Sequence, residues 1–133
     1  MKQAKLSSDF PHLYAKAELA VDGKYGKDCQ FVHTYGEEMT PWLRVELGGK
    51  YPVSLVIIQN RMSPENDRLS NSGIYVYDAE PDVNRRLCGK IDDGDKDTVY
   101  VGCSNTLWGR GVELLLFDTG VGRVLNICEI EVY

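Results

Sequence analysis

The sequence predicts an all-β sandwich, and three observations carry that expectation. Trp42-Leu43-Arg44-Val45-Glu46-Leu47 and Ile127-Cys128-Glu129-Ile130-Glu131-Val132 alternate apolar and polar residues with period two, the signature of strands with one buried and one wet face. Turn signals recur between the apolar runs, at Gly48-Gly49, Asn71-Ser72-Gly73, Asp93-Gly94 and Gly120-Val121-Gly122. Helical character is confined to Tyr14–Ala20, a turn or two that ends near Asp22-Gly23. Short strands at this spacing close most readily into two packed sheets.

In chain order, the expected strands are Trp42–Leu47, Val53–Gln59, Gly73–Tyr77, Thr98–Gly102, Val112–Phe117 and Leu125–Tyr133. Val53 to Ile58 is a β-branched run, which fits a strand covered on both faces. Asp93, Asp95 and Asp97 open like the D-x-D-x-D of a calcium loop. However, the sixth position is Thr98 where a sharp turn needs glycine, and the twelfth is Ser104 where a bidentate Glu belongs. The run reads instead as a solvated hairpin tip. No internal repeat or linker divides the chain, so residues 1–133 are expected to form a single domain.

Composition narrows the function. Fifteen basic residues against twenty acidic ones give a net charge of −5, which argues against a nucleic-acid binder, since phosphate backbones demand a surplus of Lys and Arg. The longest apolar runs, Val53–Ile58 and Val112–Phe117, fall far short of the ~20 residues of a membrane span, so no membrane insertion is expected. Met-Lys-Gln-Ala-Lys begins the chain with no apolar stretch behind it, which is not the pattern of a signal peptide. A secreted domain would then have lost its leader or have it upstream in a longer protein.

Cys29, Cys88, Cys103 and Cys128 contain no CxxC pair, so a zinc knuckle is not expected. Two disulfides in an oxidising compartment fit better, with reduced, buried cysteines the alternative. Four cysteines allow three pairings. Cys88 and Cys103 flank the Asp-rich segment, which makes a local bridge the natural choice and leaves Cys29 for Cys128. In the chain-entropy view those loops contribute about 3 and about 4.7 kcal/mol.

Catalytic signatures are missing. The chain has no Gly-x-Ser-x-Gly, no His-Glu-x-x-His and no phosphate-cradling glycine loop, and only His12 and His33 carry imidazoles. No pair of carboxylates is singled out for glycosidase chemistry, so the domain is read as no enzyme. The better cluster is basic: Arg61 closes the strongest apolar strand, and Arg68 follows seven residues later across a turn-like loop. Two planar guanidinium forks, with His33 near them in a sandwich, suit vicinal oxygens of a sugar. The competing reading pairs both arginines with Glu65 or Asp67 on a wet surface.

A wider pattern surrounds this cluster. Ala20-Val21-Asp22-Gly23, Cys29, His33-Thr34, Pro41-Trp42-Leu43-Arg44-Val45-Glu46-Leu47, Asn60-Arg61, Asp67-Arg68-Leu69-Ser70-Asn71 and Leu125–Tyr133 follow one another in that order. Over about residues 15–133 the chain resembles the F-type lectins, the fucolectin family. The Pro-Trp-x-Arg-Val-Glu-Leu strand and the closing segment carry most of that resemblance, since Ala-Val-Asp-Gly also occurs in related discoidin-like domains.

The resemblance implies a discoidin-like β-sandwich with jelly-roll topology, secreted and disulfide-bonded, that binds fucose-like glycans without changing them. It implies sugar contacts from His33, Arg61 and Arg68, matching a His followed downstream by Arg-x-Asp-x4-Arg/Lys, with all three side chains donating hydrogen bonds. The motif's Asp is Ser63 here, and Pro64 and Glu65 stand where many members carry adjacent cysteines. The segment between Asp22 and Cys29 is short, so His12, Tyr25 or Phe31 is expected to help shape the pocket. The resemblance also implies a structural Ca²⁺, held by the carbonyls of Leu19, Lys24 and Cys128 and the carboxylates of Asp22, Asp28 and Glu129. Oxygen-only ligation of this kind suits calcium. It implies the bridges Cys29–Cys128 and Cys88–Cys103 as well. The expected partners are fucosylated or similar glycans, met as a module of a larger or oligomeric extracellular protein. The alternative on the same fold is a protein–protein adhesion domain that has lost the sugar.

Overall fold

Two strands of 19 residues each organise the molecule, β3 (Trp42–Asn60) and β6 (Thr98–Leu116). A computed structural model describes residues 3–8, 17–24, 29, 31–35, 38–61 and 66–133. The remaining strands are β1 (Gln3–Leu6), β2 (Val32–His33), β4 (Ser72–Tyr77), β5 (Arg86–Ile91) and β7 (Asn126–Val132), with 3₁₀ turns at Ala17–Val21 and Asn66–Leu69. β3 and β6 pair antiparallel from Trp42↔Leu115 at one end to Gln59↔Thr98 at the other, with register shifts between Glu46 and Tyr51 and between Val53 and Leu55.

Each long strand serves two layers. The first half of β3 pairs with β1 and with the second half of β6, which continues into β4 and then β5. The second half of β3 pairs with the first half of β6 and with β7, which carries β2. Inward residues of both layers, among them Leu43, Val45, Ile74, Val112 and Leu114 on one side and Val56, Ile58, Val101, Ile127 and Ile130 on the other, form one core. Burial of such side chains contributes roughly 1.5–3 kcal/mol each.

The strands change layer where the sequence suggests a turn. Gly48-Gly49 is not a break between two strands but a corner inside β3, with Gly48 at φ +81°. Glycine reaches that left-handed conformation without the Cβ penalty, and the register shift beside it is what a bulged corner requires. The expected strands at 42–47 and 53–59 are therefore one, as are those at 98–102 and 112–117.

Other expectations need correction. Val53–Ile58 is not covered on both faces: Val53, Val56 and Ile58 are buried, whereas Ser54 is exposed and Leu55 and Ile57 are half-buried on the outer face. Ala17–Val21 is a 3₁₀ turn, and the rest of the expected helical stretch lies outside the described residues. The Asp-rich segment is not a hairpin tip, because β5 pairs with β4. Its Asp93 and Asp95 are solvated, but Gly94 between them is buried. A Cβ on Gly94 would lie 2.4 Å from the Ser70 backbone nitrogen, so this segment packs directly on the loop that carries Arg68.

Two disulfides brace the sandwich. Cys88 on β5 joins Cys103 on β6, and Cys29 before β2 joins Cys128 on β7. The first closes the open flank of the sandwich, and the second anchors the segment leading to His33.

Candidate functional site

Both ends of β3 lie at one pole of the sandwich, because the strand runs down one layer and returns along the other. Here Leu116 N–H donates to Pro41 O at 3.0 Å and Asn60 N–H donates to Asp97 O at 2.8 Å. The three expected sugar-binding residues are distributed around this pole.

His33 is nearly buried, at 9% exposure, and is paired across β2–β7 with Asn126. Its Nδ1 lies 2.6 Å from the carbonyl of Thr34. A carbonyl can only accept, so Nδ1 carries the proton of this hydrogen bond. Arg68 Nη1 stands 3.4 Å from the ring's Nε2. Neighbouring Thr34 is fixed in turn: its N–H donates to Leu125 O at 3.0 Å, and its Oγ1 accepts from Leu125 N–H at 2.9 Å.

Arg61 reaches the same group through an aromatic ring. Its guanidinium carbon lies 3.8 Å from the centroid of Phe31, and that ring sits 6.2 Å from the His33 ring at an interplanar angle of 55°. The pole thus gathers Arg61, Phe31, His33 and Arg68 in one continuous set. His12, Tyr25, Asp28, Ser63, Pro64 and Glu65 lie outside the described residues.

Two supporting residues had no role assigned from the sequence, although Asn60 lies within the matched pattern. Asn60 is buried at the end of β3; its Nδ2 donates to the carbonyls of Gly94 at 2.7 Å and Lys96 at 3.1 Å, and its Oδ1 accepts from Arg61 N–H at 3.0 Å. Arg123, embedded among turn glycines, donates from Nη1 to the carbonyls of Asn71 and Phe117, both at 2.8 Å, and from Nη2 to those of Arg68 and Ser70. Burial lowers its pKa. One guanidinium thereby gathers the Arg68, Ser70 and Asn71 carbonyls of the loop that presents Arg68 and ties them to Phe117. Asn126, beside His33, has both side-chain polar atoms buried without a hydrogen-bond partner among the described residues.

The expected cation ligands converge in part. Glu129 on β7 is buried at 4% exposure, and its two carboxylate oxygens accept from Gly23 N–H at 3.1 and 3.0 Å. Burial pushes its carboxyl up to about 7; the Gly23 bond opposes that shift, while Asp22 and Glu131 reinforce it. Asp22 Oδ1 also accepts from Lys24 N–H at 3.0 Å, which fixes the turn bearing the Lys24 carbonyl. Among the described residues no three acidic, His or Cys side chains cluster as a metal site. Asp22 and Glu129 form the pair, and the Leu19, Lys24 and Cys128 carbonyls are the remaining described donors. A buried carboxyl that is pushed up and meets an exposed one at the surface is a donor set that fits a hard cation.

Known proteins match this architecture. The family described as the NedA-like, galactose-binding domain, of the F5/F8 type C class, matches residues 19–114, and the chain belongs to it. Its likeness to the F-type lectins extends over nearly the whole chain. Fucolectin-1 of Anguilla japonica is 29% identical over 139 residues, which cover 98% of this chain and 74% of that protein. The crystal structure of an F-lectin (fucolectin) from Morone saxatilis (striped bass) serum superposes with a TM-score of 0.84 at 28% identity, over 98% of this chain and 46% of that one. A fucose binding module of Streptococcus pneumoniae superposes at 0.78 with 28% identity, over 100% of this chain and 93% of that one. These neighbours share the discoidin-like β-sandwich. The chain spans less than half the length of the striped bass lectin, and its family is one of carbohydrate-binding modules.

Proposed function

We propose that this chain is a non-catalytic module that binds fucose-like glycans at the pole bearing His33, Arg61 and Arg68. The observation that carries the reading is the convergence of Arg68 on His33 at 3.4 Å, with Arg61 joined to the same ring system through Phe31. Residues 35 positions apart in sequence meet there. A neutral sugar presents neighbouring hydroxyls that both donate and accept. The arginine forks donate to two such oxygens, and the His33 ring beside Arg68 completes the polar set. Recognition by a few aimed polar groups on a rigid frame lowers the ordering cost of binding.

Calcium belongs to this reading as a structural ion. Leu19, Lys24 and Cys128 would supply carbonyls, and Asp22, Asp28 and Glu129 carboxylates, with the ion adding positive charge where Glu129 and Asp22 abut. It would stiffen the segment that the Cys29–Cys128 disulfide already anchors. Secretion and work within a larger or oligomeric extracellular protein fit the two disulfides and the family, and several copies would raise avidity for clustered glycans.

A glycan array probed with the calcium-loaded domain, presented multivalently beside an Arg61→Ala/Arg68→Ala double variant, tests the proposal. Retention on fucosylated glycans that the double variant loses is the expected result. Retention on other sugars keeps the site and changes the ligand. A blank array from folded protein contradicts the proposal and favours the adhesion reading.

A further inference from the structure

We propose that Phe31 is a positioning residue for Arg61, one that sets the plane in which the guanidinium meets its ligand. This rests on the saccharide-binding reading of the pole. The Arg61 guanidinium carbon lies 3.8 Å from the Phe31 ring centroid, which is stacking distance. A guanidinium over an aromatic face is held by the ring quadrupole and gives up hydration on the covered side. Its N–H groups all lie in its own plane. Fixing that plane therefore fixes the direction of every hydrogen bond that Arg61 donates.

Phe31 is itself held from both sides. Cys29, two residues before it, is bonded to Cys128, and Val32 immediately after it is paired with Ile127 across β2–β7. His33, one strand residue further on, lies on the same face of β2 as Phe31, which brings the two rings to 6.2 Å. The Cys29–Cys128 disulfide and the β2–β7 ladder thus locate the ring, and the ring locates Arg61. The sequence agrees with this division of labour, since position 63, which the lectin resemblance would fill with Asp, is Ser63. A fork held in one plane favours ligands with two adjacent hydroxyls in matching orientation, so the device discriminates among stereoisomers of neutral sugars rather than adding general affinity.

L-Fucose binding to wild type, Phe31→Leu and Phe31→Trp, measured by calorimetry with calcium present, tests the assignment. Phe31→Leu is expected to weaken binding about tenfold, the scale of a desolvated cation–π contact, with its melting temperature nearly unchanged, and Phe31→Trp is expected to restore most of the loss. The Arg61 Nε–H resonance gives a readout independent of sugar: the ring current of Phe31 shifts it in the wild type, and the shift disappears in Phe31→Leu. Phe31→Met serves as a second ringless variant if Phe31→Leu folds poorly. Wild-type affinity in a folded ringless variant, or an unshifted Nε–H in the wild type, overturns the proposal. A shifted Nε–H in a wild-type protein that binds no saccharide overturns the functional reading on which it rests instead.

Discussion

Among the described residues two glutamates are buried, and the fold treats them in opposite ways. Glu113, on the outer face of the first layer, is fully buried, yet Arg44 Nε lies 2.6 Å from one oxygen and Arg85 Nη1 2.8 Å from the other. Each arginine is stacked in turn, Arg44 over Trp42 at 3.7 Å and Arg85 over Tyr75 at 4.7 Å. Glu129, near the pole, is almost as buried, but its described partners are the Gly23 N–H and a second carboxyl, that of Asp22. A buried charge must be compensated. Around Glu113 the protein supplies the compensation itself, so that region is a finished structural latch. Around Glu129 the described partners supply no cation, and the Asn126 amide has no hydrogen-bond partner among the described residues; both lie near the residues proposed to meet ligands.

The contrast can be broken most forcefully at the latch. Arg44→Met leaves Glu113 buried with one cation instead of two, and the expected loss is about 3 kcal/mol of stability, the scale for opening a buried pair. Chemical denaturation checks it, and the variant should respond to calcium as the wild type does. At the other glutamate the expectation reverses. Calcium at a hundredfold excess over its dissociation constant should add about 2.7 kcal/mol, seen as a rise in melting temperature. Glu129→Gln should remove most of that rise, whereas equal calcium responses in the two proteins would show that Glu129 is no ligand. The smallest effect concerns Asn126. Asn126→Leu removes a buried amide that has no partner among the described residues, so stability should rise by about 1 kcal/mol, and a clear fall would reveal a contact that the amide makes within the fold.

Much of the frame was legible in the sequence because alternation and turn glycines are local signals. Trp42–Leu47 declares its buried face through Leu43 and Val45, whereas Ile127–Val132 is buried continuously from Ile127 to Ile130, Glu129 included, so its wet face was misread. Gly48-Gly49 misled, since a glycine at positive φ serves a corner within a strand as well as a turn between strands. Strand β5, Arg86–Ile91, escaped notice because half its residues are exposed or charged and it lies at a sheet edge. Glu113 could not be recognised as buried, because its arginine partners lie 69 and 28 residues away. Of the site, the positions of His33, Arg61 and Arg68 were readable through family resemblance, but the proton on Nδ1 of His33 follows only from the carbonyl beside it. Arg123 gave no signal at all, since its task is to bind backbone carbonyls, and any loop has those.

The most direct test of the central proposal is a titration of the calcium-loaded, isotopically labelled domain with L-fucose, followed by backbone amide shifts. Saturable changes centred on Phe31, His33, Arg61 and Arg68, and abolished by Arg68→Ala, are the predicted result. No saturable change, or changes centred on the opposite pole around Trp108, would contradict it.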